Sequence, residues 1–329
     1  MAGRAAFPTS TPLCSAQQID SEAQCAPDTV EATPLMDPTI FHNGELKDAR
    51  SVGISPASAG LLYGWGVFST LRIYDGHAFA ADYHWERLER NAEKMRLALP
   101  VSREQFESAV GSVISASSRR KGRVRVTILS GERGAWRIGK GSASDILIFS
   151  AAEPQQSQKD VAITISPYRI LSSGMLTGVK QTAMVEHAIA YDEARSRGFD
   201  EGIMLNERGE IVGATAANIF WVEGDELFTP SPATGCVPGI TRRLVCELAV
   251  KWNLHVVEGS FQVSRLLSAR EVFLTSTMRE IGIVGSFDAK EYDSREARIT
   301  GLLSRQFREQ IRRGKGREVL SNNPEGIGD

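Results

Sequence analysis

Cysteine is sparse and unpaired in this chain: four residues stand far apart at Cys14, Cys25, Cys236 and Cys246, with no CxxC and no Cys/His cluster. Zinc therefore has no ligand set here, and a reduced compartment fits. Histidine is equally scattered, at His42, His77, His84, His187 and His255, so neither a metal centre nor a Ser/His/Asp triad has sequence support. Long apolar runs are missing too, none reaching the ~20 residues that cross a bilayer, and the N-terminus lacks the charged start and apolar core of a secretory signal. The expectation is a cytosolic protein. Charge of one sign is also lacking: 38 basic and 40 acidic residues give a net charge of -2, which leaves no broad basic field for nucleic acid. The short basic runs from Arg119 to Arg125 and from Arg312 to Arg317 read as solvated faces. No fixed-period repeat is present, which excludes solenoids and propellers.

What is present is ordinary globular material, 329 residues with 42% hydrophobic and 24% charged, enough for one large or two medium domains. Residues 1–37 are rich in Ala, Ser, Thr, Pro and Gln without helical or strand period and read as a mobile leader. Its acids Asp20, Glu22, Asp28 and Glu31 are unlike a transit peptide. Order is expected from TIFHNGELKDA, turned at Asn43-Gly44, followed by the strand pair GVFSTLRIY and HAFAA turned at Asp75-Gly76. A helical period then runs through DYHWERLERNAEKMRLAL, with Trp85, Leu88, Met95 and Leu99 apolar; a second helix fits SREQFESAVGSVISAS, and strands fit RVRVTILS and DILIFSA. Residues 38–151 thus form a small α+β domain, 152–160 a polar linker, 161–318 a second domain and 319–329 a tail. In the second domain strands fit VAITISPYR, HVVEGSFQV and EVFLTSTM, and helices start at Ile240 and run through ITGLLSRQFREQIRR.

Chemistry concentrates between Lys180 and Arg242. Lys180 follows the loop SSGMLTGVK and precedes apolar helix residues that can desolvate its amine. Desolvation favours the neutral amine, the form that attacks an aldehyde to give a Schiff base. A phosphate receptor is offered by the helix start in VPGITRRL behind Gly239, by the hydroxyls of Thr275, Ser276 and Thr277, and by Arg87 in HWERL. Each piece also has a plain reading, as turn glycine, turn or helix cap and surface cation.

In order along the chain, FHNGEL, LLYGWGVFSTLRIYDG, HWERL, KQTAMVEHAIAYDEA, FDEGIMLNERGEIV, AANIFWV, LFTP, TGCVPGITR and EVFLTST resemble the class IV aminotransferases across about residues 39–314. That family comprises fold type IV pyridoxal phosphate enzymes, among them branched-chain and D-amino acid aminotransferases and aminodeoxychorismate lyase. The resemblance implies an α+β fold of two domains, a small N-terminal α/β sandwich and a larger C-terminal α+β domain carrying the cofactor. It implies pyridoxal 5'-phosphate on Lys180, with Arg87, Gly239, Ile240, Thr241, Ser276 and Thr277 around the phosphate and Gly213 and Asn218 beside the ring. It places Tyr63, Phe68, Thr70, Arg72, Ala216 and Ala217 near the substrate, and it implies a homodimer.

The chain departs from the family where G-x-x-x-E reads Gly209-Glu210-Ile211-Val212-Gly213, so the acid that faces the pyridine nitrogen is replaced by glycine. Glu210 is no substitute: three positions earlier on a strand, its side chain lies on the opposite face and about 10 Å away. Val185 stands where branched-chain enzymes carry a tyrosine, and Phe68-Ser69-Thr70-Leu71-Arg72 and Ala216-Ala217-Asn218 are similar to the lyases. Thr70 also reads as a strand former, and Ala216 and Ala217 as small packing residues. The leading expectation is transfer of an amino group between an amino acid, branched-chain being one class, and a 2-oxo acid, weakened by Gly213. A lyase giving 4-aminobenzoate and pyruvate, and a catalytically weak dimer partner, stand as alternatives.

Overall fold

The computed structural model describes residues 36–131, 143–153 and 160–314. The leader up to residue 35, residues 154–159 of the linker, the tail, Cys14 and Cys25 lie outside the described residues.

The N-terminal domain is built from β1 (Thr39–His42), β2 (Glu45–Asp48), α1 (Ala59–Leu62), β3 (Gly66–Tyr74), β4 (His77–Ala78), α2 (Ala81–Lys94), α3 (Arg103–Ser117), β5 (Gly122–Ser130) and β6 (Ser144–Ala151). Its sheet runs β2-β1-β6-β5-β3-β4 and is antiparallel throughout. Asn43 and Gly44, like Asp75 and Gly76, have positive φ at both central turn positions (48° and 101°, 47° and 82°), the geometry that favours Asn-Gly and Asp-Gly in tight hairpins. The expected strand HAFAA stops at Ala78, because Ala80 takes φ 55° and leads directly into α2. That helix ends at Lys94, short of Leu99. Ser102 and Gln105 form a reciprocal capping box that fixes the start of α3. On β5, Val124, Val126 and Ile128 are buried in one core with Trp85 and Leu88 of α2 and Phe106, Val110 and Val113 of α3. Strand alternation turns Arg123, Arg125 and Thr127 to the opposite face.

The C-terminal domain comprises β7 (Val161–Ile170), α4 (Val185–Ser196), β8 (Glu201–Asn206), β9 (Ile211–Ala214), β10 (Asn218–Glu223), β11 (Glu226–Pro230), α5 (Ile240–Lys251), β12 (Val256–Gly259), α6 (Ser264–Ser268), β13 (Glu271–Ser276), β14 (Glu280–Phe287), β15 (Lys290–Glu291) and α7 (Arg298–Arg312). The sheet order is β12-β11-β10-β13-β14-β7-β8-β9, with β15 on β14. Pairs β11/β12, β14/β7 and β7/β8 are parallel and the remainder antiparallel. Trp221, Phe228 and Leu274 are buried in one core, whereas Phe220 and Phe273, stacked at 5.0 Å between centroids, pack with Leu244, Leu248, Leu303 and Phe307 of α5 and α7. Together the domains form the two-domain α+β architecture of fold type IV enzymes. No helix among the described residues is long and apolar enough to cross a membrane.

The domains meet along the segment that carries Lys180. Phe68 N donates to Lys180 O at 3.2 Å and Thr182 N to Gly66 O at 2.9 Å, so this segment lies against β3 through an isolated antiparallel bridge between Val67 and Gln181. Gly64 permits the approach: its φ is 63°, and a Cβ there would stand 2.7 Å from Ala183 Cβ.

Candidate functional site

A cavity of about 1380 Å³ opens where the Lys180 segment meets both sheets. Lys180 stands on this segment with its Nζ 4.4 Å from the Phe68 ring centroid. Burial of the amine, then the charges of Arg87 and Arg125, lower its pKa to about 7. Near neutrality a large share of Lys180 is therefore the nucleophilic free base.

Facing it are the parts of an anion receptor. Arg87 arrives from α2, 4% exposed, and its Nε has no acceptor among the described residues. Burial lowers its pKa to about 10, which still leaves it a cation at neutral pH. The N-terminus of α5 opens on the same space: Gly239 is its N-cap, no side chain caps it, and Gly239, Ile240 and Thr241 line the cavity. Its free N–H groups and the helix dipole favour an anion there. A Cβ at Gly239 would collide with Asn218 Oδ1, so a larger residue there would have to displace the Asn218 amide. From the end of β13 and the turn after it come Thr275, Ser276 and Thr277, the buried Thr275 hydroxyl having no partner among the described residues. A phosphate-bearing aldehyde fits this set, since unpartnered buried donors on one wall complement the free amine on the other.

The register of β10 against β13 sets Asn218 opposite Thr275, and Asn218 Nδ2 donates to Val237 O at 2.9 Å. The tight turn from β9 into β10, closed by Ala214 N to Ala217 O at 2.8 Å, brings Ala216 and Ala217 to the cavity. Gly213 lines it as well, opposite Met204 on β8 and beside a bulge. A Cβ on Gly213 would stand 3.0 Å from Ala217 O, at φ 158°. Of the carboxylates Glu201 and Glu210, Glu201 on β8 lines the cavity and Glu210 does not. The Glu210 carboxylate is held by Asn206 Nδ2 and Arg208 at 2.7 and 2.6 Å. Glu201, buried with its pKa raised by that burial, accepts from the Thr215 hydroxyl and the Ala216 N–H and faces Arg279 at 3.6 Å.

Phe68 and Thr70 line the cavity, whereas Tyr63 and Arg72 do not. Arg72 instead donates to Met278 O at 2.7 Å and pairs with Glu280 at 3.0 Å and with Glu153, a clamp between the domains. Val185 is 64% exposed; the residues of this stretch that line the cavity are Met184, His187, Tyr191 and Arg195.

Arg125 does not belong to a solvated face. Its guanidinium stacks 3.3 Å from the Phe68 ring centroid, and burial lowers its pKa to about 10. Its signal lay in the alternation RVRVTIL: with Val124, Val126 and Ile128 on the core face, Arg123 and Arg125 must share the face of Thr70, the cross-strand partner of Arg125.

Fold and pocket together define a two-domain enzyme in which a poised lysine amine faces an anion receptor across a domain junction. The chain belongs to the class IV amino-transferase family, whose model matches residues 66–287. It is 29% identical over 277 residues to a putative branched-chain-amino-acid aminotransferase of Methanocaldococcus jannaschii, covering 82% of this chain and 95% of that protein. It is 28% identical over 279 residues to the aminodeoxychorismate lyase of Bacillus subtilis, covering 83% of this chain and 94% of that one. Among solved structures, a branched-chain aminotransferase from Thermoproteus uzoniensis with norvaline superimposes with a TM-score of 0.80 at 27% identity, over 86% of this chain and 97% of that one.

Proposed function

We propose that the protein is a pyridoxal-phosphate-dependent aminotransferase that moves an amino group between an amino acid and a 2-oxo acid, with Lys180 as its catalytic residue. The observation that carries this reading is the Lys180 amine, brought to a pKa of about 7 within reach of a phosphate receptor. When bound, pyridoxal phosphate would supply an aldehyde for Lys180 and an aromatic ring able to accept the electron pair left when a substrate α-proton departs. Arg87, the start of α5 and the Thr275–Thr277 hydroxyls would hold its phosphate, and Asn218, tied to Val237, lines the same cavity. The Lys180 amine would take the substrate α-proton and return it, and burial together with the charges of Arg87 and Arg125 keeps that amine from being trapped as an ammonium. Phe68 and Thr70 on one wall and Ala216 and Ala217 on the other shape the substrate space. Arg123, which lines the cavity together with Thr70, suits a substrate carboxylate.

The lyase reading is favoured by one feature: Thr70, Ala216 and Ala217 give that space a small, uncharged lining, and the B. subtilis lyase is as similar as the aminotransferase relative. We further propose a homodimer. Leu61, Leu62 and Val185 are more than half exposed, and the residues just after α1 and just before α4 are joined by Thr182 Oγ1 donating to Gly64 O at 2.7 Å; these are apolar side chains that a second copy would cover.

Product analysis separates the two reactions. An aminotransferase converts an amino donor only with a 2-oxo acid acceptor present, and the protein sediments as a dimer. Formation of 4-aminobenzoate and pyruvate without an acceptor would replace this reading by the lyase. Turnover that persists in Lys180→Ala would remove both.

A further inference from the structure

We propose that Ser69 and His84 are positioning residues for Arg87, a buried hydrogen-bond chain that presents its guanidinium to the phosphate group of the cofactor. The chain lies behind the cavity wall. Phe68 and Thr70 face the cavity, so the intervening Ser69, fully buried, faces α2. There Arg87 Nη2 donates to Ser69 Oγ at 2.7 Å, and Ser69 Oγ lies 2.7 Å from His84 Nδ1. Accepting from Arg87, the Ser69 hydroxyl has its own proton free to donate, and His84 Nδ1 is the acceptor. That assignment places the imidazole proton on Nε2. Burial, then the charges of Arg87 and Lys180, push the His84 pKa well below its ordinary value, so the ring is neutral and able to accept.

The chemistry of this support matters more than its presence. Among the described residues no carboxylate pairs with Arg87, although Arg72, Arg119 and Arg242 are all held by carboxylates. A carboxylate behind Arg87 would fix it equally well but would spend its charge and compete with an incoming anion. The neutral Ser69–His84 pair fixes one nitrogen and leaves the full positive charge, and the unpartnered buried Nε, for the ligand. The sequence separations, 15 residues from Ser69 to His84 and 18 from Ser69 to Arg87, show that packing of α2 on β3 assembles the chain.

This inference deepens the cofactor reading and rests on it for the identity of the anion, but it is tested on inorganic phosphate itself. Phosphate is titrated by calorimetry into protein freed of bound ligand, for wild type, Ser69→Cys, Ser69→Ala and Arg87→Ala, with folding checked by circular dichroism. Pyridoxal phosphate and phosphate-free pyridoxal are titrated in parallel. A hydrogen bond to a charged group implies that either Ser69 variant binds phosphate and pyridoxal phosphate about tenfold or more weakly, while pyridoxal is unaffected. In the Arg87→Ala background, Ser69→Cys has no further effect. Wild-type phosphate affinity in Ser69→Cys, equal weakening of pyridoxal and pyridoxal phosphate, or a loss that persists without Arg87 would each overturn the proposal. Phosphate binding that depends on Ser69, combined with no covalent capture of pyridoxal phosphate at Lys180, would uphold the chain and remove the cofactor reading instead.

Discussion

At Gly213 two constraints meet. The family pattern asks for an acid beside the cofactor ring nitrogen, and the backbone of this chain is shaped for a residue without a side chain, with Ala217 O where a Cβ would press at 3.0 Å. Gly213→Glu should therefore lower stability, because a side chain at positive φ and close contact forces β9 to shift. It should also raise the single-turnover rate of an amino donor ~10- to 100-fold, the worth of one charge-assisted hydrogen bond realised as the proton moves. Stopped-flow absorbance and thermal unfolding read the two effects separately. A rate that stays flat in a folded variant would mean that the reaction does not depend on a protonated ring. Lys180 carries the opposite kind of message: its own sequence neighbourhood, a glycine-rich loop before an apolar helix, already implied desolvation. Which cations share its pocket became visible only when β5 and α2 were in place.

Elements differ in how far the sequence exposed them, and the difference is one of locality. The hairpins at Asn43-Gly44 and Asp75-Gly76, and the helices α2, α3 and α7, are set by neighbouring residues and were legible. Strand β14 was not: Gly282 and Gly285 interrupt its pattern, because the Arg279 side chain and Asp160 crowd the positions where Cβ atoms would stand, and its parallel pairing with β7 joins distant segments. Long range also hid the partner of Arg72. The family resemblance implies a place near the substrate for that arginine, whereas β3 delivers it to Glu280 and the Met278 carbonyl, just after the Thr275–Thr277 run. Tyr74 joins the same cluster, donating to Glu280 at 2.7 Å, with its pKa raised by burial and by that carboxylate. Arg72→Ala should cost about 1–3 kcal/mol of stability by leaving half-buried acceptors unpaired. It should also weaken cofactor retention, because the β13–β14 turn loses its tie to β3. Thermal unfolding and dialysis of the loaded protein test this; an unchanged midpoint with unchanged retention would reduce the clamp to a surface contact.

The whole molecule works as a junction. Two sheets with separate cores meet on a segment that belongs to neither, and the reactive amine is placed there, with one domain supplying Arg87 and Arg123 to the cavity and the other the start of α5 and the hydroxyls of Thr275, Ser276 and Thr277. Desolvation of Lys180 depends on both domains being assembled. Since the folded pKa of about 7 lies below the ordinary lysine value of 10.5, the folded state sheds this proton first, and the group's contribution to stability rises with pH from about 7 towards 10.5. Reactivity of the amine should rise through the lower end of that window. The most direct test is reductive capture: pyridoxal phosphate is added at a series of pH values, the adduct is reduced with borohydride, and the labelled peptide is mapped. The account predicts a single label on Lys180, with a capture rate that climbs through pH 7 and then levels. Absence of label, label on a different lysine, or a rate still rising steeply towards pH 10 would contradict it.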